Sequence, residues 1–314
     1  MRLFRHDSDL PADAHGAVVT LGNFDGVHLG HQAVIGAAAK IARATGKPLA
    51  VLTFEPHTKA FFRPDLPPFR LTPLRAKLHA LETLGVDQVI ALAFDEAFSK
   101  VSAEDFAGKV LCQHMRISHA VAGGDFRYGH KHAGTMDSLI AAGVQHGFGV
   151  TRVDPVSAAD GTVYSATAIR KFIAEGDMRG AAALLGRPWE IDGHVVGGDK
   201  RGRELGFPTA NIKLGEYLRP AFGIYAVRAC LDRPGAPWID GVANLGIRPM
   251  WQTEEPVLEA HLFDFSEDIY GQVLRVRLIE RLRPEGKFDS VEALVAQVDR
   301  DKLAAREALL ASEG

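Results

Sequence analysis

The stretch Gly22-Asn23-Phe24-Asp25-Gly26-Val27-His28-Leu29-Gly30-His31 decides how this chain is read. An apolar run over 17–21 precedes it and reads as a short buried strand. Behind it, apolar and small residues recur at helical spacing over 32–44. A strand, a glycine-bearing loop and a helix N-terminus are therefore expected end to end. That arrangement suits phosphate: glycines allow close backbone approach, and the free N–H groups of a first helical turn point at an anion. His28 and His31 stand three apart where the helix begins, so they share a face. The stretch has neither the G-x-x-x-x-G-K-[ST] of a P-loop nor a G-x-G-x-x-G dinucleotide fingerprint. A metal reading of the two histidines lacks a glutamate or third ligand at zincin spacing.

Outward from that unit, the pattern alternates between strand and helix. Strands are expected at 48–54, 86–94, 119–122 and 149–153. Helices are expected at 74–84, opened by Thr72-Pro73 and stopped by Gly85, from Ser102 onward, and at 136–146. The alternation implies a parallel sheet with helices on both faces, whose ligand sits beyond the carboxyl ends of the strands. The first loop, residues 54–57 and residues 123–129 all fall at those ends. Two more helices are expected at 168–174 and 177–185, and Gly186-Arg187-Pro188 then breaks the pattern. Beyond Trp189 come short β-rich segments at 191–196, 223–230, 241–245, 257–263 and 273–281, which suggest a small antiparallel barrel. A last amphipathic helix spans 290–312. Two domains are therefore expected, 1–185 and 186–314.

Bulk composition narrows the class. The chain has 314 residues, 46% hydrophobic and 24% charged, enough for two ordinary globular cores. A net charge of -3 gives no basic footprint for nucleic acid. Cys112 and Cys230 stand far apart in no metal-like or disulfide-like pattern, which fits a reducing cytoplasm. No apolar signal segment opens the chain and no run is long enough to cross a membrane, so no membrane partner is expected. Oligomeric state is not legible in these features.

The first half resembles the adenylyltransferase module of prokaryotic-type bifunctional riboflavin kinase/FAD synthetases. The resemblance rests on Gly22-Asn23-Phe24-Asp25-Gly26 with its H-x-G-H, and on Phe54-Glu55-Pro56-His57-Thr58 after the second strand. It rests also on Gly123-Gly124-Asp125-Phe126-Arg127-Tyr128-Gly129 and on Ser165-Ala166-Thr167-Ala168-Ile169-Arg170. It implies a Rossmann-like nucleotidyltransferase sheet and a reaction in which FMN attacks ATP, giving FAD and pyrophosphate. It implies that His28 and His31 act on the ATP phosphates and that Ser165, Thr167 and Arg170 grip them from the other side. It further assigns Gly22, Phe24, Asp25 and Gly30 to the nucleotide, and His57, Asp125 and Phe126 to the flavin. Read bottom-up, Ser165 and Thr167 also serve as helix N-caps, Asp125 as a turn cap, and Phe126 as a core aromatic. Thr58, Ala166, His132 and Thr135 depart from the family pattern. Those departures carry an alternative, a kinase whose N-terminal module does not adenylylate.

The second half resembles riboflavin kinase over nearly its whole length. The specific match is Gly202-Arg203-Glu204-Leu205-Gly206-Phe207-Pro208-Thr209-Ala210-Asn211. It implies that Thr209 and Asn211 bind a nucleotide-held Mg²⁺, with Gly206 and Pro208 against ATP. Glu259-Ala260-His261-Leu262-Phe263-Asp264 matches the segment of the catalytic base, so Glu259 takes the proton of the riboflavin 5′-hydroxyl. By alternation alone Glu259 is also a solvent-facing strand acid. Met250 stands where many members have threonine. Riboflavin, FMN and ATP are thus the expected small-molecule partners. A flavin-binding regulator is the rival from another class, and it has no use for a metal-binding hydroxyl and a base together.

Overall fold

The protein is described from a computed structural model covering residues 1–8, 10–158, 161–197, 207–247 and 255–312. Its contacts divide it into two compact units. One is Met1–Leu66 with Lys77–Ser165, and the other is Pro67–Ala76 with Ala166–Gly314. The sequence changes period at Gly186, but the contacts divide at Ser165, so the two helices between these points pack with the second unit.

The first unit is built on a six-stranded sheet. Its strands are β1 (Arg2–Phe4), β2 (Val18–Leu21), β3 (Leu49–Glu55), β4 (Gln88–Ala93), β5 (His119–Gly123) and β6 (Gly149–Val153). All pairs are parallel, in the order β1-β4-β3-β2-β5-β6. The short edge strand β1 has too few apolar residues to announce itself in the sequence. Successive residues serve opposite faces. Val19, Leu21, Ala50 and Leu52 join a core with Phe106, Leu111, Met136 and Leu139. Val18, Leu49 and Val51 join another with Ile35, Ala38 and Ala42. The chain leaves β2 toward β3 and β4, then returns beside β2 as β5. The crevice where a doubly wound sheet takes its ligand therefore opens between the loops after β2 and β5.

Helix α1 (Leu29–Thr45) follows β2, and the short α2 (Thr58–Phe62), not foreseen, follows β3. Helix α3 (Leu74–Glu82) precedes β4. The helix from Ser102 opens with that residue's hydroxyl accepting from Asp105 N–H, as α5 (Ala103–Asp105) after the single turn α4 (Glu96–Ser99). It continues as a π-helix over Phe106–His114. Helix α6 (Met136–His146) carries a reciprocal capping box between Thr135 and Ser138. The departure at Thr135 thus has a structural use.

The second unit opens with α7 (Ala166–Glu175) and α8 (Met178–Leu185), the latter capped by Asp177. Its strands are β7 (Trp189–His194), β8 (Ala210–Lys213), β9 (Gly223–Leu231), β10 (Ile239–Ile247), β11 (Pro256–Leu262) and β12 (Val273–Arg283). They pair antiparallel in the order β7-β12-β9-β10-β11-β8. Just beyond β7, Val196 N–H donates to the Asn211 carbonyl on β8 at 2.9 Å, so the two edges meet and the sheet nearly closes. Register shifts in β12 against β9 supply the bend that closure needs. Alternation separates the faces: Leu258, Ala260 and Leu262 are buried inside, while Val257, Glu259 and His261 look outward. Helix α9 (Val291–Ala311), capped by Ser290, lays Ala305, Ala308 and Leu309 on the outer face against Ala226, Val242 and Phe263. Residues 67–76 belong here because Arg70 bridges Tyr217 and Trp189 Nε1–H donates to the Leu71 carbonyl at 2.9 Å. No described helix is long and apolar enough to cross a membrane.

Candidate functional site

The loop after β2 is held in an unusual backbone. Phe24 and Val27 adopt φ of 49° and 46°, and Gly26 lies at 88°. Left-handed geometry costs about 1–3 kcal/mol for an ordinary residue and is steepest for a β-branched one. Burial sustains it: Phe24 is 2% exposed, Asp25 2% and Val27 1%. Strain of this kind is retained where a turn must hold a ligand.

The turn delivers His28 to the N-cap of α1, where its Nδ1 accepts from His31 N–H at 3.3 Å. A neutral ring accepting at Nδ1 carries its proton on Nε2, the tautomer that donates to a phosphate oxygen. The two imidazoles stack with centroids 3.6 Å apart, and Phe24 meets His31 edge-on at 5.2 Å. A Cβ on Gly30 would come within 3.1 Å of the His28 ring and 3.2 Å of the Tyr164 carbonyl, so glycine is what lets these groups converge. A Cβ on Gly22 would press on the Phe24 ring at 3.3 Å. The first turn of α1 holds no acidic residue, leaving the positive end of the helix dipole for an anion.

A buried lysine underpins this loop, and the sequence reading missed it. Lys77 Nζ donates to the Asn23 carbonyl at 2.8 Å and to Thr53 Oγ1 at 3.1 Å, and lies 3.4 Å from Glu55 Oε1. A lysine between Leu74 and Leu81 on the apolar stripe of α3 was the signal available. Asn23 is tied from its other side as well: its Nδ2 donates to Thr58 Oγ1 at 3.2 Å. The departure at Thr58 therefore supplies a hydroxyl to the loop. His57 is buried and caps α2, its Nδ1 accepting from Lys59 N–H at 3.1 Å.

Beyond β5, Phe126 N–H closes a turn on the Gly123 carbonyl at 3.0 Å and leaves Asp125 exposed at its tip. Phe126 is partly buried and stacks on Tyr128 with centroids 5.8 Å apart. A Cβ on Gly129, at φ +73°, would meet Ala103 N at 2.6 Å, which fixes how this loop is seated. Ser165, partly buried, closes the first unit. In the second unit Thr167 is exposed on the first turn of α7, which also lacks an acidic residue. Arg170 Nε donates to the Phe69 carbonyl at 2.9 Å, with its guanidinium 5.5 Å from the Phe69 ring.

On the barrel, pairing sets Glu259 of β11 opposite Asn211 of β8 on one side and Asn244 of β10 on the other. Asn211 is 6% exposed, and Glu259 is partly exposed on the outer face. Thr209 directly precedes β8, and the exposed Pro208 offers its carbonyl to His261 Nδ1 at 2.9 Å. Burial holds the His261 ring below its ordinary value of 6.5, with the Pro208 bond opposing and Lys302 adding to the depression. The strands thus bring together Thr209, Asn211 and Glu259, predicted from separate motifs. Gly206, with the rest of 202–205, lies outside the described residues, as does Met250. Strand β8 itself was unexpected because Pro208 hides its start.

Residues 10–167 match the family model described as FAD synthetase, and residues 185–309 match that of riboflavin kinase. The bifunctional riboflavin kinase/FMN adenylyltransferase of Escherichia coli K12 is 39% identical over 308 residues, covering 98% of this chain and 97% of that protein. The Bacillus subtilis protein of the same name is 39% identical over 291 residues, covering 91% and 90%. A solved structure described as a macrolide-efflux protein from Streptococcus pneumoniae aligns with a TM-score of 0.83 at 32% identity, over 97% of this chain and 98% of that one. On both domain models and on full-length identity, the chain belongs to the bifunctional riboflavin kinase/FMN adenylyltransferase family.

Proposed function

We propose that this chain makes flavin cofactors in two steps. Residues 186–314 transfer the γ-phosphoryl group of ATP to the 5′-hydroxyl of riboflavin, giving FMN and ADP. Residues 1–185 join FMN to the AMP portion of a second ATP, giving FAD and pyrophosphate. The observation that carries the reading is that the two halves of the chain match two family models that serve one pathway.

In the adenylyl step, the FMN phosphate attacks the α-phosphorus of ATP and pyrophosphate leaves. Catalysis here is positioning and charge stabilisation. His28, which caps the helix through Nδ1, and His31 donate to the phosphates, and the N–H groups at the head of α1 add to them. Gly22, Phe24, Asp25 and Gly30 shape the strained turn that receives the nucleotide. Ser165, Thr167 and Arg170 are assigned to its phosphates on sequence alone. His57, Asp125 and Phe126 are assigned to the flavin, with Asp125 exposed at a loop tip beyond β5 and Phe126 offering a ring face.

In the kinase step, Glu259 accepts the proton of the 5′-hydroxyl as that oxygen attacks the γ-phosphorus. Thr209 and Asn211 fit a magnesium ion carried by the nucleotide. Both offer neutral oxygen donors, which suit a hard cation that keeps its waters and phosphate ligands. Among the described residues no cluster of three acidic, histidine or cysteine side chains forms a cage of its own. The ion would screen the phosphate oxygens against the incoming alcohol. Pro208 and Gly206 are assigned to the ATP side of the same segment. Two free cysteines accord with a cytoplasmic setting.

The test is Glu259→Gln. FMN formation from riboflavin should fall by at least about 100-fold, while added FMN still becomes FAD. A variant with full kinase activity removes Glu259 from the mechanism.

A further inference from the structure

The outer face of the barrel holds a polar group beside the proposed base that these roles leave unused. Cross-strand partners point to the same side of a sheet. Asn211, Glu259 and Asn244 therefore form one row across β8, β11 and β10, roughly 10 Å from end to end at normal strand spacing. The next residue in the row is Ile224 on β9, which packs against the apolar cluster beneath α9. Among the described residues Asn244 Oδ1 is buried without a hydrogen-bond partner. A buried amide oxygen is almost always satisfied, because leaving it bare forfeits its hydration for nothing. An orphan acceptor beside the proposed base marks a place where a ligand brings the donor.

The order of the row says which part of the ligand that is. The groups assigned to metal and phosphate stand at the β8 end, and the base stands in the middle. Phosphoryl transfer runs in line, so the phosphate donor lies toward β8 and the body of the alcohol extends the other way, toward β10. Consecutive hydroxyls of a polyol lie within one strand spacing of each other. We infer that Asn244 Oδ1 accepts a hydrogen bond from the substrate hydroxyl next to the one phosphorylated, and so selects a polyol chain over a simple alcohol. The inference rests on the kinase reading of Glu259.

The test compares wild type with Asn244→Ala on riboflavin and on its 4′-deoxy analogue, as kcat/KM for 5′-phosphorylation. FAD formation from supplied FMN controls for the amount of intact chain, and thermal melting reports the fold of the second unit. Wild type should prefer riboflavin by roughly tenfold or more. The variant should lose that preference, mainly through KM on riboflavin. Asn244→Ser, which keeps a shorter acceptor, should retain part of it. Because Oδ1 has no partner among the described residues, substrate-free Asn244→Ala should melt no lower than wild type. An undiminished preference in the variant, no preference in wild type, or a clearly lower melting temperature each overturns the inference. If wild type forms no FMN from riboflavin at all, the kinase reading fails first, and separately.

Discussion

Replacing Lys77 by methionine removes an ammonium and keeps most of its stem, so the change isolates the charge. The side chain is fully buried. Its partners include the Asn23 carbonyl at 2.8 Å, Thr53 Oγ1 at 3.1 Å and Glu55 Oε1 at 3.4 Å. Hydrogen bonds to a charged group contribute about 1.5–3 kcal/mol. Stripping one partner from a buried ion pair costs about 3–5 kcal/mol. Glu55 is 15% exposed, and Thr53 Oγ1 still donates to the Asn23 carbonyl at 3.0 Å, so part of the loss is recovered. The lower end, about 3 kcal/mol, is expected, close to 100-fold in the folding equilibrium of the first unit. Urea unfolding of that unit, followed through FAD formation from FMN, reads the loss, and FMN formation from riboflavin should hold. Adding Glu55→Gln to the variant should restore part of the stability by removing the abandoned carboxylate. A Lys77→Met protein within about 0.5 kcal/mol of wild type, with unchanged FAD formation, refutes the claim that this lysine secures the loop.

His31→Ala should cut FAD formation by about 10²–10³-fold and leave FMN formation intact, measured by initial rates on each flavin. Equal loss of both activities would break the division of labour. Gly129→Ala places a Cβ 2.6 Å from Ala103 N at φ +73° and should lower stability by at least about 2 kcal/mol in thermal melting. An unchanged melting temperature would mean the loop reseats freely. Burial depresses the folded His261 below 6.5, so the unfolded chain takes up this proton first as pH falls. The stability tied to the neutral ring is complete above that unfolded value and is lost as pH falls toward the lower folded one. His261→Asn should therefore lose less stability than wild type between about pH 7.5 and about pH 5, and an identical slope would deny His261 that part.

Much of the fold was legible because its elements are regular. Period-two and period-3.6 patterns located β2 to β6, α1 and α6, and the capping residues Ser102, Asp177 and Ser290 marked helix starts where the structure has them. What escaped was decided by tertiary contact. Arg2–Phe4 is a strand only because β4 offers an edge. Residues 67–76 show in the sequence only the helix start at Thr72-Pro73, yet Trp189 and Tyr217 hold them in the second unit. The site motifs were visible as short strings of glycine, histidine and hydroxyl residues. Asn244 was not, because its meaning comes from a register that pairs it with Glu259. Lys77 was hidden by the same logic, since only packing shows that an ammonium on an apolar stripe reaches a loop over fifty residues away in sequence.

The most direct measurement incubates the purified protein with ATP, Mg²⁺ and either riboflavin or FMN, and separates the flavins by chromatography. The account predicts FAD from both, with FMN appearing first when riboflavin is supplied. FMN from riboflavin but no FAD from either substrate would contradict it, and Ala166 would be the first residue to restore to serine.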